Sequence, residues 1–222
     1  MSRAIDACRG PGDLRVDHRA ECLLAGVGGS WRVPADCDAI PDSAWVEPTA
    51  IPLYNVYRWP ALSGLAVTAP SPRFGFEAMC GSPPIAKDAR AYAVAARSVV
   101  LHHDGQWNLL MQVVHWRGDT ATGGTTVLTA LKNAMDRLRD CQSKASPSIT
   151  TSDPQCIGAV IGDAGHQVMH EYLLAHPGSS TIVELAMWSS LPLRVDWPAV
   201  PDATVFKTMA APLCSAYIQS CR

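Results

Sequence analysis

The chain lacks a long apolar run, a cluster of charge of one sign, and every common nucleotide or hydrolase motif. No segment approaches the roughly 20 consecutive apolar residues that cross a bilayer, so no transmembrane segment is expected. The formal net charge is -2 with the two signs intermixed. Nucleic-acid binders need a positive face to displace phosphate counterions, and no Lys/Arg-rich stretch supplies one; nucleic acid is excluded as a partner. There is neither a P-loop nor a dinucleotide fingerprint, and Gly26-Val27-Gly28-Gly29 reads as a flexible turn. Gly-x-Ser-x-Gly is absent, and Gly28-Gly29-Ser30-Trp31 lacks a strand–elbow–helix context. No cofactor is expected.

CxxC is missing too, although the chain holds eight cysteines: Cys8, Cys22, Cys37, Cys80, Cys141, Cys156, Cys214 and Cys221. An even, scattered set is how a disulfide framework looks, and such bridges persist in oxidising compartments. Structural zinc sites present ligands as close pairs, whereas these cysteines are at least seven apart, so no metal is expected. The reading is extracytoplasmic, secreted or at the cell surface. Against it, Met1 to Cys8 shows no apolar core of a signal peptide and no Leu-x-x-Cys of a lipid anchor. Either a leader has been removed or the thiols are reduced in a cytoplasm. Eight exposed thiols would be an oxidation liability, which favours the first.

Hydrophobic residues make up 48% of the 222 positions and charged residues 17%, the balance of a globular chain with a full core. Nine of 17 prolines fall between Pro34 and Pro84, accompanied by Trp31, Trp45 and Trp59. Residues 1–74 therefore read as an extended, Pro/Trp-rich arm packed on the core. Residues 75–222 read as an α+β domain, disulfide-reinforced, of two antiparallel hairpins each followed by a helix. The first hairpin runs from Ala93 to His102 and from Trp107 to Trp116 around Asp104-Gly105, with Gly123-Gly124 ending the second strand. A helix over Thr125 to Cys141 follows, with Leu128, Leu131, Met135 and Leu138 at helical spacing. Gln142 to Pro154 reads as a polar loop. The second hairpin, His166–Ala175 and Thr181–Ser189, leads to a final helix capped by Asp202, interrupted by Pro212 and reaching Ile218.

On that helix Cys214 and Cys221 would sit about 10 Å apart, too far to bridge each other without unwinding. Cys141 closes the earlier helix in register with Leu138, so its thiol should point inward. Cys80 is its candidate partner, at a loop length worth about 4 kcal/mol in the chain-entropy model, and Cys156 is the rival.

Catalytic signals are weak. His166-x-x-x-His170-Glu171 would present two imidazoles on one helix face, but on a strand four residues span about 13 Å, too far for one ion. His102-His103-Asp104 has no linked nucleophile. Glu184 near Trp188 and His115 beside Trp116 are candidates to line a small-ligand cleft. A small enzyme, a hydrolase or cyclase, would draw on His115, His170 and Glu184 as acid or base groups. Such an enzyme should show a histidine coupled to a carboxylate or hydroxyl inside the main cleft; a binding domain should not.

Residues 75–220 resemble the extracellular sensor domain of PknH-type mycobacterial receptor kinases and their actinobacterial lipoprotein relatives. The shared features are Cys80-Gly81, a hairpin ending in Gln112-Val113-Val114-His115-Trp116, an amphipathic helix ending in Cys141, then a second hairpin and helix. The resemblance implies a Cys80–Cys141 bridge and a non-catalytic domain with a cleft for a small-molecule or cell-envelope ligand. That family's second bridge joins cysteines in the later hairpin. Here that hairpin has none, Cys214 and Cys221 fall outside the pattern, and the Pro-rich arm has no counterpart. No ligand contacts carry over.

Overall fold

The computed structural model describes residues 40–141, 146–163, 165–217 and 221. In chain order the strands are β1 (Val67–Thr68), β2 (Val94–Val100), β3 (Asn108–His115), β4 (Ser146–Asp153), β5 (Cys156–Asp163), β6 (Gln167–His176) and β7 (Thr181–Ser190). The helices are α1 (Tyr54–Tyr57), α2 (Gly75–Met79), α3 (Thr120–Arg139) and α4 (Asp202–Ala216). The seven strands of the described residues form one antiparallel sheet, ordered β1-β2-β3-β7-β6-β5-β4.

Both faces of the sheet are covered. Successive side chains point to opposite faces, and β7 shows it: Val183, Leu185 and Met187 join the core under α4, while Ile182 turns toward α3. The α4 side holds Val205, Phe206, Met209 and Leu213 together with Trp45, Ile51, Trp59 and Leu62 from the segment before β1. The opposite side packs Val127, Leu131, Ala134 and Leu138 of α3, and Phe74 and Phe76, onto Val114, Ile157, Ile161 and Leu173.

The protein is a mixed helix-and-sheet fold, but its plan departs from hairpin–helix, hairpin–helix. Two further strands precede the second hairpin. Where a polar loop was expected, Ser146–Asp153 pairs with Cys156–Asp163. Ser-Pro-Ser-Ile-Thr-Thr-Ser-Asp is polar because β4 is an edge strand, where Pro147 and a bulge between Ile149 and Thr151 are tolerated.

The long helix starts earlier than expected, at Thr120, with Asp119 as its N-cap accepting from the Thr122 amide at 2.8 Å. Gly123 and Gly124 therefore lie within α3 instead of ending β3. A Cβ on Gly123 would overlap Ser180, and one on Gly124 would lie 3.0 Å from the Pro177 carbonyl oxygen. The pair lets helix and turn touch. Leu131, Met135 and Leu138 are buried as expected, but the stripe begins at Val127 and Leu128 is exposed.

At the C-terminus, Asp202 makes no cap; Pro201 is the N-cap residue, without a side-chain bond. Asp202 instead accepts from the Thr151 hydroxyl at 2.6 Å, tying α4 to β4. The helix includes Pro212, ends at Ala216, and Tyr217 is extended. That early stop overturns the expectation that Cys214 and Cys221 cannot meet: they are bridged, with Cα atoms 5.3 Å apart. Expectations for Cys8, Cys22, Trp31, Cys37, the Gly26–Gly29 turn and Ile218 lie outside the described residues.

Candidate functional site

On the α3 face, a cleft of about 360 Å³ opens between α3 and the loop before β2. Ile85 to Arg90 form one wall, and Thr125, Thr126, Thr129, Asn133 and Arg137 form the other. Each wall has a cause in the sequence. The loop is anchored at its start by Cys80, which follows α2 and is bridged to Cys141 just beyond α3, with Cα atoms 5.3 Å apart. At its far end Trp116 Nε1 donates to the Ala89 carbonyl at 3.0 Å. The threonine row is helical, and Thr125, Thr126 and Thr129 each donate to the carbonyl four residues earlier. Their hydroxyl protons are spent, so they offer a ligand lone pairs only.

The floor is ionic. Arg90, 4% exposed, donates to both oxygens of Glu77 at 2.6 and 3.1 Å, and Glu77 is 1% exposed. The same guanidinium donates to Asp88 at 2.6 and 2.9 Å and lies over the Phe74 ring, 4.7 Å from its centroid. Glu77 also accepts from the Phe74 amide at 2.8 Å, and Arg137 Nε lies 3.4 Å from it. Burial would push the Asp88 carboxyl up, but the hydrogen bonds and charge of Arg90 hold it below its ordinary value. The Arg90 guanidinium is locked in its charged form by Glu77 and Asp88 against the cost of burial. Among the described lining residues, Lys87, exposed at the rim, is the cation not taken up by a carboxylate.

Behind this floor lies a second acidic group. Glu171 on β6 and Glu184 on β7 are diagonal neighbours on the α3 face, both 0% exposed. Glu184 accepts from the Gly75 amide, and from Gln112 Nε2 at 3.1 Å. Neither oxygen of Glu171 makes a well-formed hydrogen bond, and the Phe76 amide is the backbone donor turned toward it. Burial raises both carboxyls, and the two act on each other as a coupled pair.

The expected catalytic residues are not brought together. His115 and His170 lie on the α4 face and Glu184 on the other. The His115 ring stacks on Tyr217 at 4.6 Å and bonds Thr181 Oγ1 at 3.1 Å. His170 stacks on Trp197 at 3.7 Å and meets the edge of Trp107. Burial lowers both imidazoles to about 4. His166 precedes β6 and is exposed, apart from His170. His102 packs against Tyr57 and Trp59. Trp116 is buried behind the cleft loop, and Trp188 packs on the α3 face away from the cleft walls.

Among the described residues, the group nearest to metal-ligand geometry is His176, Cys214 and Cys221. The two sulfurs are bonded to each other, which removes the thiolates a metal would need.

Sequence reasoning missed Glu77, Arg90, Arg137, Gln112 and Glu171 as a group. One signal was present: Gln112, Glu171 and Glu184 each stand inside an otherwise apolar strand, where a polar side chain needs a reason. No family model, curated protein or solved structure matches this chain.

Proposed function

We propose that the protein is a non-catalytic, extracytoplasmic ligand-binding domain, and that its ligand sits between the Ile85–Arg90 loop and α3. The carrying observation is the cleft's chemistry. Among the described residues its lining contains no histidine, cysteine or serine, its threonine hydroxyls are committed to the helix, and its two carboxylates are balanced by Arg90 and Arg137. Such a surface offers acceptors, the Asn133 amide, apolar contact from Phe74, Ile85 and Ala130, and the Lys87 cation, which suits recognition better than proton transfer. The resemblance to receptor-kinase sensor domains favours the same reading, with a small molecule or cell-envelope component as ligand. Disulfides are compatible with an oxidising compartment, and no helix among the described residues is long and apolar enough to cross a membrane.

The test is an NMR titration with soluble cell-envelope fragments: N-acetylated amino sugars, muramyl dipeptide, glycerol phosphate and a short-chain phosphatidylglycerol. Amide shifts gathered at 85–90 and 125–137, and lost in Thr129→Trp, support the proposal. Shifts elsewhere, no shifts with any probe, or turnover of a probe overturn it.

A further inference from the structure

Three carboxylates, Glu77, Glu171 and Glu184, converge on one buried face, and their partners are unequally shared. Glu77 takes Arg90 and Arg137. Glu184 has the Gly75 amide and Gln112, and Gln112 in turn accepts from Arg97 Nε at 2.9 Å. Arg97 is the cation facing the pair from β2, and its Nη2 donates to the Arg73 carbonyl. From α2 the pair faces Glu77, which repels it. The two arginines of the cleft floor, Arg90 and Arg137, are turned to Glu77. Glu171 is left with two buried oxygens that make no well-formed hydrogen bond, the Phe76 amide being the one backbone donor turned toward them among the described residues.

Two bare anions side by side at 0% exposure, with no cation paired to either, would carry a desolvation cost of several kcal/mol each. A carboxylic acid on Glu171 removes one charge and turns its hydroxyl into a donor to Glu184, giving the unpartnered side chain a hydrogen bond. We infer that Glu171 and Glu184 bind a single shared proton, and that its loss releases the Phe74–Met79 segment, which carries Glu77, from the sheet and so opens the floor of the cleft. The second half follows from contact. A Cβ on Gly75 would lie 3.3 Å from Glu184 Oε1 and 3.6 Å from Glu171 Oε2, so this backbone rests directly on the pair. Gln112 Nε2 reaches both the Arg73 carbonyl, at 3.3 Å, and Glu184, so the same amide group holds the start of that segment and the pair. The link to ligand binding rests on the proposed cleft; the proton does not.

The test uses the full chain without ligand. Side-chain carboxyl carbons are followed by NMR from pH 4 to 9, together with hydrogen exchange at the Gly75 and Phe76 amides, corrected for intrinsic base catalysis. One Glu carboxyl should stay protonated past pH 6, the pair should titrate in two linked steps, and exchange at Gly75 should then rise by about tenfold per pH unit. In Glu171→Gln, whose amide mimics the protonated acid, corrected exchange at Gly75 should be flat. The inference is overturned if both carboxyls titrate near the ordinary value of about 4.3, or if Glu171→Gln keeps the pH dependence. Should that variant fail to fold, the wild-type carbon titration decides by itself. Failure of the cleft reading would show separately, as absent ligand shifts beside an intact proton titration.

Discussion

Arg90 holds Glu77 through two hydrogen bonds in a place that neither side chain shares with solvent. A pair of this kind contributes little relative to an apolar replacement, yet removing one partner strands the other. Arg90→Ala should therefore cost about 3–5 kcal/mol in urea unfolding. Arg90→Lys should recover only part of the loss, because an ammonium cannot span both oxygens of Glu77 and reach Asp88 as well. A loss under about 1 kcal/mol for Arg90→Ala would mean that Arg137 alone satisfies Glu77.

Stability should peak near pH 6 to 6.5. His115, His170 and His176 are lowered by burial to about 4. The unfolded chain, with histidines near 6.5, therefore takes up more protons between those values, and stability falls as pH drops through that window. Glu184 is raised to about 7, first by burial, and Glu171 is raised as well. Here the folded state binds the extra proton, so their contribution is fully present below about 4.5 and is lost as pH rises through 7. The two effects oppose each other below pH 6.5, and only the carboxylates act above it. Urea midpoints from pH 4 to 9 check this, and Glu184→Gln should flatten the alkaline limb and steepen the acid one, where a carboxylate no longer offsets the histidines.

Gly123→Ala should destabilise although alanine is the better helix former by about 1 kcal/mol. The added methyl meets Ser180 across the contact between α3 and the turn before β7, an overpacking worth about 1–3 kcal/mol. Ser180 itself has a φ of 52°, a conformation that glycine adopts without strain. Gly123→Ala combined with Ser180→Gly should therefore recover most of the loss, as thermal melts of the single and double variants would show. Additive losses would place the cause elsewhere.

The two described bridges should differ in weight. Cys80–Cys141 closes 61 residues and Cys214–Cys221 closes 7. Chain entropy gives about 4 kcal/mol for the first and about 2 for the second. Replacing each pair by alanines tests the order. Non-reducing peptide maps of protein from an oxidising compartment should return both linked peptides. Free thiols at these positions would undo the extracytoplasmic reading.

The parts of the fold that were legible in the sequence are those whose pattern is set by one buried face. β2 and β3 show it, and so do α3 through Leu131, Met135 and Leu138, and the alternation of β7. β4 was illegible because an edge strand need not bury either face, so Ser146–Asp153 reads like a loop. The α3 start was misplaced because Gly123-Gly124 signals a break locally, whereas its reason is a contact with residues more than fifty positions away. The cleft was hidden for a similar reason. Glu77, Arg90 and Arg137 come from three separate elements, and nothing in their spacing announces that they meet.

The strand order has a consequence for how the molecule comes together. β1 to β3 form one meander and β4 to β7 another, each made of neighbours in sequence, and the two are zipped along the β3–β7 seam. Gln112 and Glu184, 72 residues apart, join hands across that seam. Closing so long a loop is entropically dearer than closing any hairpin here, which makes the seam the natural last step of assembly. The polar row on β3 and β7 thus lies where two locally formed halves find their register, and a one-residue slip there would turn Gln112 and Glu184 to opposite faces.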